Sequence, residues 1–367
     1  FGSSGFGSSR CSPSCKHGSP SSAAKPLTRN MGSAAAVAAI SAVTQEDLNL
    51  AMANLSPEER TKLCSALDTM FAKCRYGKKK VLVHGKHMAY IEIGEGDPIV
   101  LIHGNPTSSY MWRNVIPFCE KLGRVIAPDL IGMGDSDKLD NPGPESYQMH
   151  EQMQYLDGLL EALSIKENVT FVVHSWGGVL GGSWAERHRD AMKGFVAMET
   201  VFSPEAFITF SESMQAGFKM FKTQKGEDMV LQRNIMVEHA LPEGVVRKLS
   251  EEEHNEYRRP FLEPGESRRP ILSFVRSVPV KGEPAAVHKM QTDILAWFKT
   301  TEMPVLFIKG DPGSSVTPEE ADVIRSFKKV TEEAVKGKHL LTEDAPDEIG
   351  TAIANWYCTL ALTQAKP

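Results

Sequence analysis

From Lys79 onward the apolar residues of this chain fall into two periods. Val81–Val83, Met88–Ile93 and the stretches 98–103, 124–127, 169–174, 195–199 and 304–308 are strand-length apolar runs. Between them, 147–163, 178–189 and 318–327 repeat apolar positions at helical spacing. The first two runs read as a hairpin before Gly94-Glu95-Gly96. Strands alternating with helices predict an α/β fold with a mostly parallel sheet covered on both faces. Between Thr200 and about Ala296 the strand signal fades into Met-rich helical sequence broken by Pro242, Pro260, Pro264 and Pro270. The expected organisation is a core of 79–200 and 297–367, with 201–296 as a helical cap over one end of the sheet.

Upstream, Thr44-Gln45-Glu46-Asp47 and Ser56-Pro57-Glu58-Glu59 look like helix starts, a capping oxygen followed by acids of the first turn. Leu63, Leu67, Met70 and Phe71 then recur at helical spacing, a packing face that needs no cofactor. Residues 45–78 are therefore expected to be an N-terminal helical segment. Residues 1–44 are rich in Ser, Gly and Ala, carry Arg10, Lys16, Lys25 and Arg29, and contain no Asp or Glu. Such a segment buries too little apolar surface to offset its ordering entropy, so disorder is expected. It reads equally as an organelle transit segment or as an unstructured leader with Met31 as the true start. The expected location is intracellular, cytoplasmic or organellar.

Composition narrows the function classes. The 367 residues are 41% hydrophobic and 24% charged, with a net charge of −5. That balance argues against a general nucleic-acid binder, which needs clustered Lys and Arg. The longest apolar runs, Ile99–His103 and Val305–Ile308, are far too short to span a bilayer. The six cysteines form no Cys-x-x-Cys pair and no zinc-type spacing with histidine, which fits free thiols in a reducing compartment. No metal or organic cofactor is implied. A monomer or weak homo-oligomer acting on a small apolar substrate is expected.

The chemistry centres on Phe171-Val172-Val173-His174-Ser175-Trp176-Gly177-Gly178. An apolar run enters a serine, then paired glycines and a helix, which is the pattern of a strand–nucleophile–helix elbow. Acyl transfer to serine needs a base, a group to orient the base and donors aimed at the developing oxyanion. Ser175 is the candidate nucleophile, and His339, in Lys336-Gly337-Lys338-His339-Leu340, the candidate base on a loop before the last helix. Two acids compete to orient it: Glu199 after the strand that follows the elbow helix, and Asp311 after Val305–Ile308. The backbone N–H groups of Asn105 and Trp176 are the candidate oxyanion donors, with the Asn105 amide and the Trp176 indole as a second pair. His103 and His174 read as structural, holding loops by hydrogen bonds. Gly132-Met133-Gly134 resembles the start of a dinucleotide loop but lacks a third glycine in register.

These motifs carry a family resemblance. His103-Gly104-Asn105-Pro106-Thr107-Ser108-Ser109-Tyr110-Met111-Trp112-Arg113, Pro128-Asp129-Leu130-Ile131-Gly132-Met133-Gly134 and the elbow resemble the haloalkane dehalogenase branch of the α/β-hydrolases. Within that branch the chain looks most like the Renilla-type luciferases. Similarity continues through Gly226–Leu231, Arg268-Arg269-Pro270, Asp311-Pro312-Gly313 and Glu343–Glu348, over roughly 79–360. The resemblance implies Glu199 as the acid, His339 as the base, and Asn105 with Trp176 as donors to a leaving halide or to polar substrate atoms. It also implies aspartate at the nucleophile position, where this chain has Ser175. Val173 is a second departure, since a β-branched residue two before the nucleophile implies an altered turn.

An aspartate displaces halide from an sp³ carbon to form an ester that activated water cleaves, whereas a serine would form an inert ether. Serine therefore suits ester or similar acyl substrates, through a Ser-His-Glu triad. Alternatives are a cofactor-independent coelenterazine-type monooxygenase, a non-catalytic ligand-binding relative and a dehalogenase.

Overall fold

A computed structural model describes residues 72–364, with side chains through 360, and positions 55, 56, 58, 59 and 62 before them. The expectations for residues 1–44, the helix start at Thr44 and the face Leu63, Leu67, Met70 and Phe71 lie outside the described residues. At the second helix start, Glu59 N–H donates to Ser56 Oγ at 3.2 Å and Ser56 N–H to Glu59 Oε2 at 2.9 Å. This reciprocal pair is a capping box.

Eight strands form one sheet: β1 (Lys78–Val83), β2 (Lys86–Ile93), β3 (Pro98–Ile102), β4 (Arg124–Pro128), β5 (Val169–His174), β6 (Met192–Met198), β7 (Val305–Pro312) and β8 (Val330–Gly337). Their spatial order is β1-β2-β4-β3-β5-β6-β7-β8. β2 runs antiparallel to β1 and β4, and the remaining neighbours are parallel. The hairpin turns at His84-Gly85, both at positive φ (46° and 78°), as the two-residue loops that match strand twist require. All six residues of β5 are buried. Ile102, Phe171 and Val173 join the apolar cluster on one face, Leu101 and Val172 that on the other. Burial on both faces explains why these strands read as continuous apolar runs rather than alternations.

β8 was not expected as a strand, and His339 was expected on a plain loop. β8 is the sheet edge, with Thr331, Glu332, Glu333, Ala334 and Lys336 exposed. Such charge keeps an open edge from pairing with other chains, and it erases the apolar signature of a strand. His339 thus lies two residues beyond a strand end, the position at which parallel sheets collect their ligands.

Among the described residues, helices of eight residues or more are α1 (Met149–Ala162), α2 (Trp176–Arg187), α3 (Glu212–Phe221), α4 (Gln224–Leu231), α5 (Glu251–Arg258), α6 (Arg269–Arg276), α7 (Ala285–Phe298), α8 (Pro318–Arg325) and α9 (Pro346–Gln364). The stretch expected as a cap, 201–296, holds two kinds of helix. α7 packs on α2, where a Cβ on Gly182 would lie 3.0 Å from Ile294 Cγ2, and its Phe298 ring stands 5.0 Å from Phe195 of β6. It is therefore a layer helix of the sheet, whose apolar face looks in sequence like that of the helices before it. Among the described residues no helix is long and apolar enough to cross a membrane.

Gly132-Met133-Gly134 wraps a carboxylate rather than opening a phosphate loop. A Cβ on Gly134, at φ +55°, would lie 2.2 Å from Asp129 Cγ. Asp129 accepts from Ser109 N–H and Asp135 N–H, each at 2.8 Å, and from Lys78 Nζ at 2.7 Å.

Candidate active site

β5 ends at His174, and the chain reverses into α2 through Ser175, whose φ of 52° and ψ of −124° are sparsely populated for a residue with a side chain. The turn closes this tightly because the following helix presents hydrogens where side chains would collide. A Cβ on Gly177 would lie 2.2 Å from Ile102 O, and one on Gly178 2.1 Å from Thr200 Cγ2. Val173 does not disturb the turn, contrary to expectation. It is fully buried, and its Cγ1 sits 3.0 Å from where a Cβ on Gly181 would be, so a missing methyl group on α2 accommodates the branch. Gly104 completes the close approach: its Cβ would lie 2.7 Å from Ser175 Cβ and 3.1 Å from Oγ.

A consequence is testable at Gly177. Alanine usually stabilises a helix over glycine by about 1 kcal/mol. Here the methyl would strike a strand carbonyl, which cannot swing aside. Gly177→Ala is expected to destabilise the fold by about 2 kcal/mol, read from the urea midpoint. A rise in the midpoint would mean that the helix and β3 are less closely apposed than described.

Glu199 follows β6 directly, itself at positive φ (48°) and 1% exposed. Its Oε1 accepts from Ser314 N–H at 3.2 Å, and its Oε2 from Ser315 N–H at 2.7 Å and His339 Nδ1 at 3.1 Å. A carboxylate only accepts, so Nδ1 carries a proton, and in the neutral ring Nε2 keeps its lone pair. Ser315 Oγ lies 3.2 Å from the same Nδ1 and shares that proton. The other acid left open by the sequence, Asp311, is exposed and pairs in register with Lys336 at the sheet edge, because β7 continues past Ile308. Ser314 and Ser315 were missed as partners of the acid. They contribute through backbone N–H groups, which no side-chain pattern marks.

The segment carrying His339 is strapped from both sides. His174 Nε2–H donates to the carbonyl of His339 at 2.7 Å. Leu340 N–H donates to Gly244 O at 2.9 Å, and Asp344 accepts from Val246 N–H at 2.9 Å and Lys338 N–H at 3.1 Å. Behind it Glu343 is fully buried between Arg113 (2.6 Å) and Arg247 (2.6 Å). Burial disfavours the Glu343 charge, but Arg113 outweighs it and holds the carboxyl below its ordinary range.

The two histidines flanking this centre are neutral. His103 Nδ1–H donates to Gly104 O at 2.8 Å while Nε2 accepts from Leu130 N–H at 3.0 Å, which only the uncharged ring satisfies. Burial pushes its pKa down to about 4. Burial, reinforced by His339, also holds His174 well below the usual histidine range. The unfolded chain takes up these protons near pH 6.5 and the folded one does not, so stability is full above that pH and falls below it. For His103 the window runs from 6.5 to about 4. Each ring is expected to cost about 1.4 kcal/mol per pH unit there, measured by urea unfolding at pH 7 and pH 5. Equal stability at the two pH values would contradict the neutral assignments.

Ser175, His339, Asn105 and Trp176 border one cavity of about 420 Å³. Its far wall is apolar, with Phe207, Phe210, Met214 and Phe218, and no Lys or Arg lines it. The Trp176 N–H, first in α2, has no intrahelical acceptor. Among the described residues the backbone N–H of Asn105 is likewise donated to no other group. Asn105 Nδ2 donates one hydrogen to Ile271 O at 3.3 Å, tying this loop to α6. No hydrogen bond joins Ser175 Oγ to His339, although both line the same cavity; such pairs commonly tighten only around substrate.

Comparison with known proteins agrees with this architecture. Residues 97–229 match the family model described as alpha/beta hydrolase fold. A haloalkane dehalogenase from Sphingobium indicum is 49% identical over 280 residues, covering 76% of this chain and 95% of its own length. One from Mycolicibacterium smegmatis is 50% identical over 275 residues, covering 75% of this chain and 88% of its own length. The crystal structure of haloalkane dehalogenase DbeA from Bradyrhizobium elkani superposes with a TM-score of 0.74 at 36% identity, covering 78% of this chain and 99% of its own. With a parallel sheet, an elbow after β5 and relatives of this closeness along three quarters of its length, the chain belongs to the haloalkane dehalogenase family of the α/β-hydrolases.

Proposed function

We propose that this α/β-hydrolase cleaves an ester or similar acyl substrate through Ser175, His339 and Glu199. The observation that carries the reading is the Glu199–His339 pair at 3.1 Å, bordering the same cavity as a serine held in a strained elbow. Ser175 Oγ attacks the substrate carbonyl and gives its proton to His339 Nε2, while Glu199 steadies the resulting imidazolium. The carbonyl oxygen, now negative, is met by the N–H groups of Trp176 and Asn105. Collapse expels the alcohol, which takes the proton from Nε2. Water, deprotonated by His339, then attacks the acyl-serine and releases acid and free serine. Every step uses a carbonyl carbon. An sp³ carbon bearing halogen offers none after the first displacement, since the serine ether has no electrophilic centre for water. The apolar wall and the absence of Lys and Arg in the lining favour a neutral, apolar substrate over a carboxylate.

Labelling by a fluorophosphonate, with the adduct located at Ser175 by peptide mass, is the direct test. Unlabelled protein that also leaves a panel of aryl esters intact would remove the reading. A coelenterazine light assay on the same preparation tests the monooxygenase alternative. Emission from a preparation inert to esters would put that alternative first.

A further inference from the structure

Ten buried side-chain polar atoms lack a partner among the described residues, and two of them belong to residues that line the cavity: Asn105 Oδ1 and Gln291 Oε1. Asn105 is already part of the nucleophile's surroundings. Gln291 is not. It stands on α7, one turn before Ile294, the residue that packs on α2. It is 3% exposed. Its Nε2 donates to Val201 O at 3.2 Å, which fixes the amide's orientation, because a flipped group would set two carbonyl oxygens face to face. One amide hydrogen is thereby used, one remains, and Oε1 has no donor.

We infer that Gln291 is a substrate-recognition residue, which selects among apolar acyl substrates those that carry a hydroxyl group. A hydroxyl both donates and accepts, so it can satisfy Oε1 and the spare amide hydrogen together. An amide buried with an unmet acceptor is costly where only packing is needed, and leucine would fill the same volume without that cost. The wall around it is aromatic and aliphatic, so the amide supplies polar discrimination that the wall cannot. Recognition by a buried polar group is steep, because an analogue lacking the hydroxyl leaves the amide unpaired. Oε1 lies beneath the cavity lining, so a hydroxyl meets it only as the amide turns about its soft terminal torsion and loosens the Nε2–Val201 contact.

This inference rests on the acyl-hydrolase reading for its catalytic test but not for its binding test. For catalysis, matched aryl esters with a ring hydroxyl or a ring methoxy group are compared. The wild type is expected to favour the hydroxyl ester by at least about tenfold in kcat/KM, and Gln291→Leu to lose that preference. For binding, thermal shifts of Ser175→Ala with phenol and with anisole are compared, which requires no turnover. Phenol is expected to stabilise more than anisole, and Ser175→Ala/Gln291→Leu to respond to the two alike. If no ester is turned over yet phenol is favoured through Gln291, the acyl-hydrolase reading fails and the recognition site stands. A hydroxyl preference that is absent in both assays, or that survives Gln291→Leu, overturns the site. Gln291→Met, which keeps the length of the side chain without its amide, guards against a packing effect. It should respond to phenol and anisole alike, as Gln291→Leu does.

Discussion

Ser175→Ala is expected to lower ester turnover by about 10⁴-fold or more while leaving KM within a few-fold and the fold intact. The reason lies in how the cavity divides its labour. The apolar side chains that would hold the substrate, chiefly Phe207, Phe210 and Phe218, are untouched by the substitution, so binding survives. The imidazole, its proton fixed on Nδ1 by Glu199, then has no hydroxyl to activate. Alanine also retains the backbone N–H groups of Trp176 and Asn105, so a residual rate above that in water should persist. Replacing His339 by glutamine as well should add little, since serine and base act as one unit. Activity that fell less than tenfold would mean that another group performs the attack. Ser315, within hydrogen-bond reach of His339, would then be the first candidate.

Most of the sheet was legible because it is buried on both faces. β3, β5 and β6 announce themselves as apolar runs, and the elbow follows β5 without any insertion to obscure it. The residues proposed as nucleophile, base and donors stand out in local motifs, since each lies near a glycine where the chain must bend or come close. What failed did so for identifiable reasons. β8 carries its charges outward at an open edge, and α7 shares the helical apolar pattern of the cap although it packs on the sheet. The choice between Glu199 and Asp311 could not be made from position alone, because both follow strand residues at the same end of the sheet. Geometry separates them through Ser314 and Ser315, whose backbone N–H groups turn toward Glu199. The fit of Val173 depends on Gly181, a contact between a strand and the helix it feeds that emerges only once the two are stacked.

Ser175→Asp is expected to release halide from a bromoalkane over repeated turnovers, which the wild type does not sustain. The family resemblance implies a carboxylate at this position, and the remaining parts of the site suit one. The carboxylate would stand at the first turn of α2, where the free N–H groups and the helix dipole favour negative charge. Its oxygen reaches one bond further into the cavity than the serine hydroxyl does. Attack on the sp³ carbon forms an alkyl ester and expels halide toward the Asn105 and Trp176 side chains. His339 Nε2 then takes a proton from water, which attacks the ester carbonyl, freeing the alcohol and restoring the aspartate. A diagnostic follows from separating the two halves. Ser175→Asp combined with His339→Gln should release a single halide per protein molecule and gain the mass of the alkyl group, because the ester forms and is not cleaved. Serine cannot sustain turnover, since its ether, once formed, is inert to the same base. If the single variant folds with an unchanged circular dichroism spectrum, yet neither releases halide nor becomes alkylated, the cavity is not shaped for haloalkanes. The serine would then be one of several changes that adapt this site to a different substrate.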